Sequence, residues 1–415
     1  MSLSPEQIQI IKATVPVLQQ HGATITTVFY KNMLDAHPEL NAVFNTSNQV
    51  NGHQPRSLAG ALFAYASNID NLGVLSPAVQ LICHKHASLY IQPDQYGIVG
   101  KYLLEAMGQV LGDALTPAIH EAWGAAYWQL ANLMIGIEND LYQQSQGWTD
   151  WREFRIARKV PESDVITSFY LTPVDEKPLP AFRPGQYIGV QVYVPDLKYP
   201  QARQYSLSDA PRSDYYRISV KKEIGLNPTQ PDASTHPGYV SNLLHDTKKE
   251  GDTIKVSHPY GDFFFSDSDP SHPVVLLAAG VGLTPLTSIL NTLTSASDSE
   301  RKISFIHGAH SSSVRAFKDH IKSLSDKHSN LNATFFTTQP SATEKQGEDY
   351  DHVGRIDVQQ LDANKDLFLD NPQTEYYICG PESFMTSLNA GLKAKGVGAD
   401  RIKMELFGTG GVPHL

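Results

Sequence analysis

Three polar residues in the first third of the 415-residue chain fall where a helical pattern calls for apolar ones. Within 79–90, Val79, Ile82, Cys83 and Leu89 share one helical face; His86 lies on that face and His84 lies off it. Tyr96 opens a further helical run whose inner face continues with Val99, Leu103 and Met107. Glu138 stands in register with Tyr127, Ala131 and Met134 on the apolar face of another. A carboxylate aimed into a core is costly unless it is paired and hydrogen-bonded. A metal-binding imidazole gains from such partners, because a bond to its second ring nitrogen fixes the tautomer and makes the first a stronger donor. The spacing therefore points to His86 as a metal ligand served by Tyr96 and Glu138. It leaves two plainer alternatives open: a satisfied core histidine, and a helix rotated so that Glu138 reaches solvent.

A second set of residues suits phosphate chemistry. Pro184, Gly185, Gln186 and Tyr187 precede Arg203, Gln204, Tyr205 and Ser206, which follow a strand-like segment. Gly238, Tyr239, Val240 and Ser241 open a helix expected over 240–245, and a helix start preceded by glycine can hold a pyrophosphate through backbone N–H groups. Gly280, Val281, Gly282, Leu283, Thr284 and Pro285 come directly after a strand and open another helix. Glycines there let a dinucleotide phosphate approach the backbone, although the string is not the GxGxxG fingerprint. Cys379, Gly380 and Pro381 follow a later strand, and Glu405, Leu406, Phe407 and Gly408 lie near the end. Each string is weak alone; what counts is their order and spacing.

The elements that must position these residues change character along the chain. Ser4, Pro5 and Gln7 form a helix start with a capping box, and apolar residues recur every three or four positions to about 144. A polar stretch over 143–150 reads as a linker. Short strand-like runs at 154–160, 166–171, 187–194 and 216–220 then suggest a barrel or sandwich. From Pro273 onward, strands expected at 274–278, 303–307, 333–337 and 376–379 alternate with helices, the first over 285–293. The chain is thus expected to hold an all-α domain (1–146), an antiparallel β-barrel domain (151–267) and an α/β parallel-sheet domain (268–415).

Composition removes several function classes. Lys and Arg number 33 against 43 Asp and Glu, a net charge of −10, with no long basic run, which argues against nucleic-acid binding. Two cysteines, Cys83 and Cys379, exclude a disulfide framework and a zinc site built on cysteine pairs. The first residues lack the pattern of a signal peptide, and the most apolar stretch (274–283) is too short to span a bilayer. A cytoplasmic monomer without stable membrane insertion is the expectation.

The helical part resembles the globin domain of the flavohaemoglobins. The resemblance rests on Phe29-Tyr30, His37-Pro38-Glu39-Leu40, Phe44-Asn45, Ser47-Asn48-Gln49, Asn51-Gly52, the run 64–69, Lys85-His86, the run 95–100 and Ala122-Trp123-Gly124. It implies a haem b with His86 as the iron ligand, Tyr96 and Glu138 as its partners and Lys85 beside it. It implies a distal pocket of Tyr30, Gln54 and Leu58, with Phe44 packed on the haem. A phenol and an amide can donate hydrogen bonds to oxygen as it takes on negative charge, and Leu58 would limit access.

The later strings resemble the ferredoxin-reductase-like flavoprotein module. That implies Arg203 on the FAD pyrophosphate, Tyr205 on the flavin, Ser206 near its reactive edge, and Tyr187 and Gln204 at the same site. Gly238, Val240 and Ser241 would hold phosphate; Gly280 to Pro285 would bind NAD(P)H with Cys379 to Pro381 near the nicotinamide; and Phe407 would cover the flavin with Glu405, Leu406 and Gly408 close by. The chain departs from the pattern in a long loop (225–237), read as a surface insertion, and in a glycine-containing tail (409–415). Ser311, Ser312, Ser313 and Arg315, where an acid normally signals NADH, lean toward NADPH, and the choice between the two stays open.

Flavohaemoglobins convert nitric oxide and oxygen to nitrate, so the resemblance implies a nitric oxide dioxygenase whose haem is re-reduced by NAD(P)H through FAD. The rivals are a haem peroxidase or alkyl hydroperoxide reductase, an oxygen carrier or sensor with an attached ferric reductase, and a flavin reductase with a vestigial globin. A lipid in the distal pocket is left open.

Overall fold

The computed structural model describes residues 2–225, 238–266, 269–295 and 300–408. All of the 225–237 loop except Gly225, and the tail from 409, lie outside the described residues. The chain begins with helices α1 (Pro5–Ala13), α2 (Val15–Ala36), α3 (Thr46–Val50), α4 (His53–Ser67), α5 (Ser76–Ala87), α6 (Pro93–Leu111) and α7 (Pro117–Gln144). The capping box forms as expected: the Gln7 N–H donates to Ser4 Oγ and the Ser4 N–H to Gln7 Oε1. At α6 the Gln92 N–H donates to Gln95 Oε1 at 2.8 Å, and Thr116 caps α7. A Cβ at Gly100 would lie 2.4 Å from the Tyr127 ring, so α6 and α7 cross at a distance only glycine allows. Their crossing carries Tyr96 toward Glu138, and the Tyr127 hydroxyl ties the pair by donating to the Tyr96 carbonyl at 2.5 Å.

Strands β1 (Arg152–Pro161), β2 (Ile166–Pro173), β3 (Tyr187–Val194), β4 (Tyr199–Ser206), β5 (Tyr216–Lys221) and β6 (Thr253–Val256) form an antiparallel sheet in the order β4-β3-β6-β1-β2-β5. An isolated bridge between Leu207 and Ile218 joins the residue after β4 to β5, so the two ends of that order meet and the sheet curls into a barrel. Between β5 and β6 lies the short helix α8 (Tyr239–Asn242). The polar stretch read as a linker is partly structural. Helix α7 runs to Gln144, and Trp148 inserts among barrel rings, stacking on Phe154 at 5.8 Å between centroids and on Tyr216 at 6.5 Å.

The last part holds β7 (Val274–Ala279), α9 (Leu283–Ser295), β8 (Ile303–Ala309), α10 (Lys318–Lys327), β9 (Leu331–Thr337), β10 (His352–Val353), β11 (Glu375–Cys379), α11 (Glu382–Ala394) and β12 (Ile402–Glu405). The sheet is parallel, ordered β10-β9-β8-β7-β11-β12. From the central β7 the chain moves first to one side, through β8 and β9, and then to the other, through β11 and β12. The crevice beyond the ends of β7 and β11 is therefore the topological switch point, where such sheets take their ligands. The glycine string after β7 and the Cys379 string after β11 both end there. Among the described residues no helix is long and apolar enough to cross a membrane.

Candidate active site

Helices α5, α6 and α7 bring the three polar residues of the first domain together. His86 Nδ1 lies 2.8 Å from Glu138 Oε1 and 3.0 Å from the Tyr96 hydroxyl, and that hydroxyl donates to the same carboxylate oxygen at 2.6 Å. With the phenol proton directed at Glu138, the imidazole nitrogen gives its own proton to the carboxylate as well. The ring is thereby fixed with its proton on Nδ1 and a lone pair on Nε2. Glu138 is 2% exposed, so the rotated-helix alternative does not hold. Burial and the neighbouring Glu138 charge push the Cys83 thiol up to about 12, leaving it an inert core group.

The residues expected on the opposite side also assemble. Tyr30 meets Phe44 edge-on with ring centroids 5.5 Å apart, and Leu58 packs against the same core. Burial pushes the Tyr30 hydroxyl well above the ordinary phenol range, opposed by a hydrogen bond from Gln54. A free imidazole lone pair with a locked tautomer, together with a phenol, an amide and apolar neighbours, is a donor set that suits haem.

In the barrel, Arg203, Gln204, Tyr205 and Ser206 lie inside β4 rather than after it, paired with Val190, Gly189, Ile188 and Tyr187 of β3. Alternation sends Arg203 and Tyr205 to one face and Gln204 and Ser206 to the other. The Arg203 charge eases the burial-raised Tyr205 hydroxyl, as two side chains on one face would. Arg203 donates to Gln201 Oε1, the Ala202 carbonyl and Asn45 Oδ1 at the start of α3, so its guanidinium bridges two domains. The Tyr187 hydroxyl is buried with no hydrogen-bond partner among the described residues, as is that of Tyr260 across the bridge from it. Orphaned buried donors beside this motif are consistent with a polar cofactor.

The expected helix over 240–245 is a correction. Helix α8 covers only Tyr239–Asn242 and passes into a π turn, Leu243–Thr247. Ser241 Oγ accepts from the Glu223 N–H and donates to the Gly238 carbonyl, and Val240 is buried. A Cβ at Gly238 would lie 2.6 Å from Ser241 Oγ and 3.0 Å from Glu223 Cβ, so the serine hydroxyl would have to shift to admit one.

At the switch point, Gly280 has φ +56° and open space where a Cβ would stand, the geometry of a backbone free to meet a ligand. Gly282 does something else: its Cβ would lie 2.2 Å from the Cys379 carbonyl oxygen, so its role is to let the start of α9 seat on β11. Val281 is half-buried, and Leu283, Thr284 and Pro285 are buried in that start. Cys379 is fully buried, its thiol held well above the ordinary range by burial and by the charge of Glu405, its register partner on β12. Gly380 packs on Phe384, and Pro381 stands at the N-cap of α11.

Sequence reasoning missed His307. It is fully buried at the end of β8, pushed down to about 3 chiefly by burial, and its Nε2–H donates to the Gly280 carbonyl at 3.1 Å. The lean toward NADPH loses its cation. Arg315 turns inward and donates to the His307 and Phe336 carbonyls and to Thr337 Oγ1, capping the ends of β8 and β9.

The globin family model matches residues 27–134, and that of the oxidoreductase NAD-binding domain matches residues 276–389. A flavohemoprotein of Bordetella parapertussis is 46% identical over 415 residues, 99% of this chain and 100% of that protein. The chain belongs to the flavohemoproteins. The flavohemoglobin of Malassezia yamatoensis, solved with bound FAD and haem, superposes with a TM-score of 0.83 at 30% identity, covering 98% of this chain and 100% of that one. The flavohem-like FAD/NAD-binding domain of a nitric oxide dioxygenase from Vibrio cholerae matches 62% of this chain and 99% of that one, at 32% identity and a TM-score of 0.53.

In this flavohemoprotein the three domains meet at charged residues. Lys85, next to His86, donates to the Gly408 carbonyl at 2.8 Å; Gly408 has φ +153°. Glu405 is pushed up to about 8 by burial and by Asp262, with Lys85 opposing. Burial lowers Lys85, with Glu405 and Asp262 opposing. Leu406 packs against the parallel-sheet core, while Phe407 is 43% exposed.

A carboxyl with a raised folded-state pKa binds its proton more tightly folded than unfolded, so its stabilising contribution is lost as pH rises from the ordinary value of 4.5 through about 8. The thermal midpoint of the parent protein is expected to fall more steeply across that window than that of Glu405→Gln. Parallel melting curves would count against this protonation of Glu405.

Proposed function

We propose that this chain is a nitric oxide dioxygenase, converting nitric oxide and oxygen to nitrate with electrons from NAD(P)H. The observation that carries the reading is the bond from His86 Nδ1 to the buried Glu138, reinforced by Tyr96. A carrier has no need of an anionic partner behind its iron ligand, whereas oxygen chemistry gains from one. The Vibrio cholerae relative, a nitric oxide dioxygenase by name, supports the same reading. Bound haem would supply a redox-active iron, and bound FAD would accept hydride and release single electrons.

The residues divide the remaining work. His86 would hold the haem iron through Nε2, while Glu138 holds the Nδ1 proton. Burial holds Tyr30 in its phenol form, so its hydroxyl can donate where negative charge grows on the oxygen substrate. Phe44 and Leu58 keep the surroundings apolar, which strengthens that bond. At the other end, Gly280 would present open backbone to NAD(P)H, and Arg203, Tyr205 and Tyr187 would line the flavin side.

The test is consumption of nitric oxide in air by the purified holoprotein, with NADH and NADPH in separate runs and nitrate measured as product. Tyr30→Phe is expected to slow that consumption about a hundredfold, the usual loss on removing one aligned donor, with the haem absorption band retained. Turnover of an alkyl hydroperoxide without turnover of nitric oxide would replace this reading with a peroxidase. Failure to use NAD(P)H continuously while nitric oxide is supplied would replace it with a carrier.

A further inference from the structure

The residues flanking His86 share one property: most of them touch the flavoprotein half. His84 Nδ1 accepts from the Gly261 N–H at 3.1 Å. Ala87 is buried against Tyr187 and Tyr260. Ser88 Oγ accepts from Gln204 Nε2 at 3.1 Å and donates to the Lys85 carbonyl at 2.7 Å. The Tyr90 hydroxyl accepts from the His258 N–H at 3.0 Å. The end of α5 and the turn after it are thus the part of the helical domain that docks on the barrel.

A close backbone approach within this contact falls at Gly189 on β3. A Cβ there would lie 2.5 Å from the Ser88 carbonyl oxygen, 3.1 Å from Ser257 Oγ and 3.2 Å from the Trp151 ring. The Ser88 atom is backbone, so no side chain can swing away to make room. The barrel side cannot yield easily either. β3 is paired with β4 on one edge and β6 on the other, and Gly189 exchanges bonds with Ser257 by donating to its Oγ at 2.8 Å and accepting from its N–H at 2.9 Å. The soft coordinate is the contact between domains.

We propose that Gly189 and Ser88 are positioning residues that set the distance between the flavin-binding barrel and the helix bearing the haem ligand, and through it the rate of electron transfer from flavin to haem. Gln204 and Ser88 connect the flavin motif to the backbone of Lys85, one residue from His86, so a change at Gly189 reaches both cofactors' supports. The proposal rests on the flavin-to-haem electron path of the function given above, but not on nitric oxide as the substrate.

Gly189→Ala and Ser88→Ala holoproteins test it, with haem and FAD content checked by absorption. Three quantities are measured: the rate of haem reduction after mixing with NADH, the rate of ferricyanide reduction, which draws electrons directly from the flavin, and hydrogen exchange of the amides at 88–91. In Gly189→Ala, haem reduction is expected to slow about a hundredfold, the penalty for a misplacement of about 1 Å in a geometry-limited step. Ferricyanide reduction stays at the parental rate and the 88–91 amides exchange faster. Ser88→Ala, which removes the hydroxyl's bonds to Gln204 and to the Lys85 carbonyl but leaves the Ser88 backbone in place, shows a smaller slowing in the same direction, and this arm decides the matter if Gly189→Ala does not fold. Parental haem reduction in the variants that fold overturns the proposal, as does slow haem reduction with parental exchange. A parent protein that reduces its haem but consumes no nitric oxide would refute the dioxygenase reading and leave this one standing.

Discussion

His86→Ala is expected to give a protein that retains FAD and reduces ferricyanide with NAD(P)H at the parental rate, but shows no haem absorption band and consumes no nitric oxide. The expectation follows from the division of the chain. The imidazole is the group whose free nitrogen, tautomer and orientation are all determined by Glu138 and Tyr96. The glycine strings of the parallel sheet and the β4 motif of the barrel lie in other domains. Removing the ring also strips the buried Glu138 of a donor, while the Tyr96 hydroxyl remains. A hydrogen bond to a buried charged group is worth about 2 kcal/mol, so the helical domain should melt earlier while the reductase half is unchanged. Glu138→Gln is the milder companion, since an amide oxygen can still accept from Nδ1 without the charge. Nitric oxide consumption at the parental rate in His86→Ala would end the assignment of His86 as the iron ligand.

How much of this was legible beforehand depended on the range over which each signal acts. His86, Tyr96 and Glu138 were readable because a 3.6-residue period is local: each helix declares its own buried face, and a polar residue on it stands out. Strands of the parallel sheet were readable as apolar runs for the same reason. β6 and β12, four residues each, were too short to show a period. Arg315 looked like a cation for a phosphate because a loop residue carries no sign of where it turns. Only the fold reveals that the ends of β8 and β9 leave carbonyls for it to cap. Gly189 was read as part of a strand and nothing more. Its constraint comes from Ser88 in another domain, and a lone glycine within a strand is the one hint a sequence offers of such an approach.

The same lesson gives the second large effect, in the glycine string after β7, whose two glycines look interchangeable in sequence. Gly280 is set by conformation: its φ is +56° and nothing stands within 4 Å of where a Cβ would be. For the chain without nucleotide, Gly280→Ala therefore costs the strain of a left-handed alanine, about 1 kcal/mol, and Gly280→Asn less, because asparagine tolerates that region. Gly282 is set by collision. Its Cβ would lie 2.2 Å from the Cys379 carbonyl oxygen, 2.5 Å from the carbonyl carbon and 2.8 Å from the Gly380 nitrogen, all backbone of the strand end that completes the switch-point crevice. Either α9 lifts from β11 or the Cys379–Pro381 turn moves, and each distorts the place where NAD(P)H would lie. Forcing one methyl into such packing costs about 2 kcal/mol, equivalent to about thirtyfold in affinity. Gly282→Ala should thus raise KM for NAD(P)H by about that factor, clearly more than Gly280→Ala, with the haem band and reduction of the haem by dithionite unaltered. If Gly280→Ala proves the more damaging of the two, direct contact of the nucleotide with residue 280 outweighs the packing of α9 on β11, and the roles given to the two glycines must be exchanged.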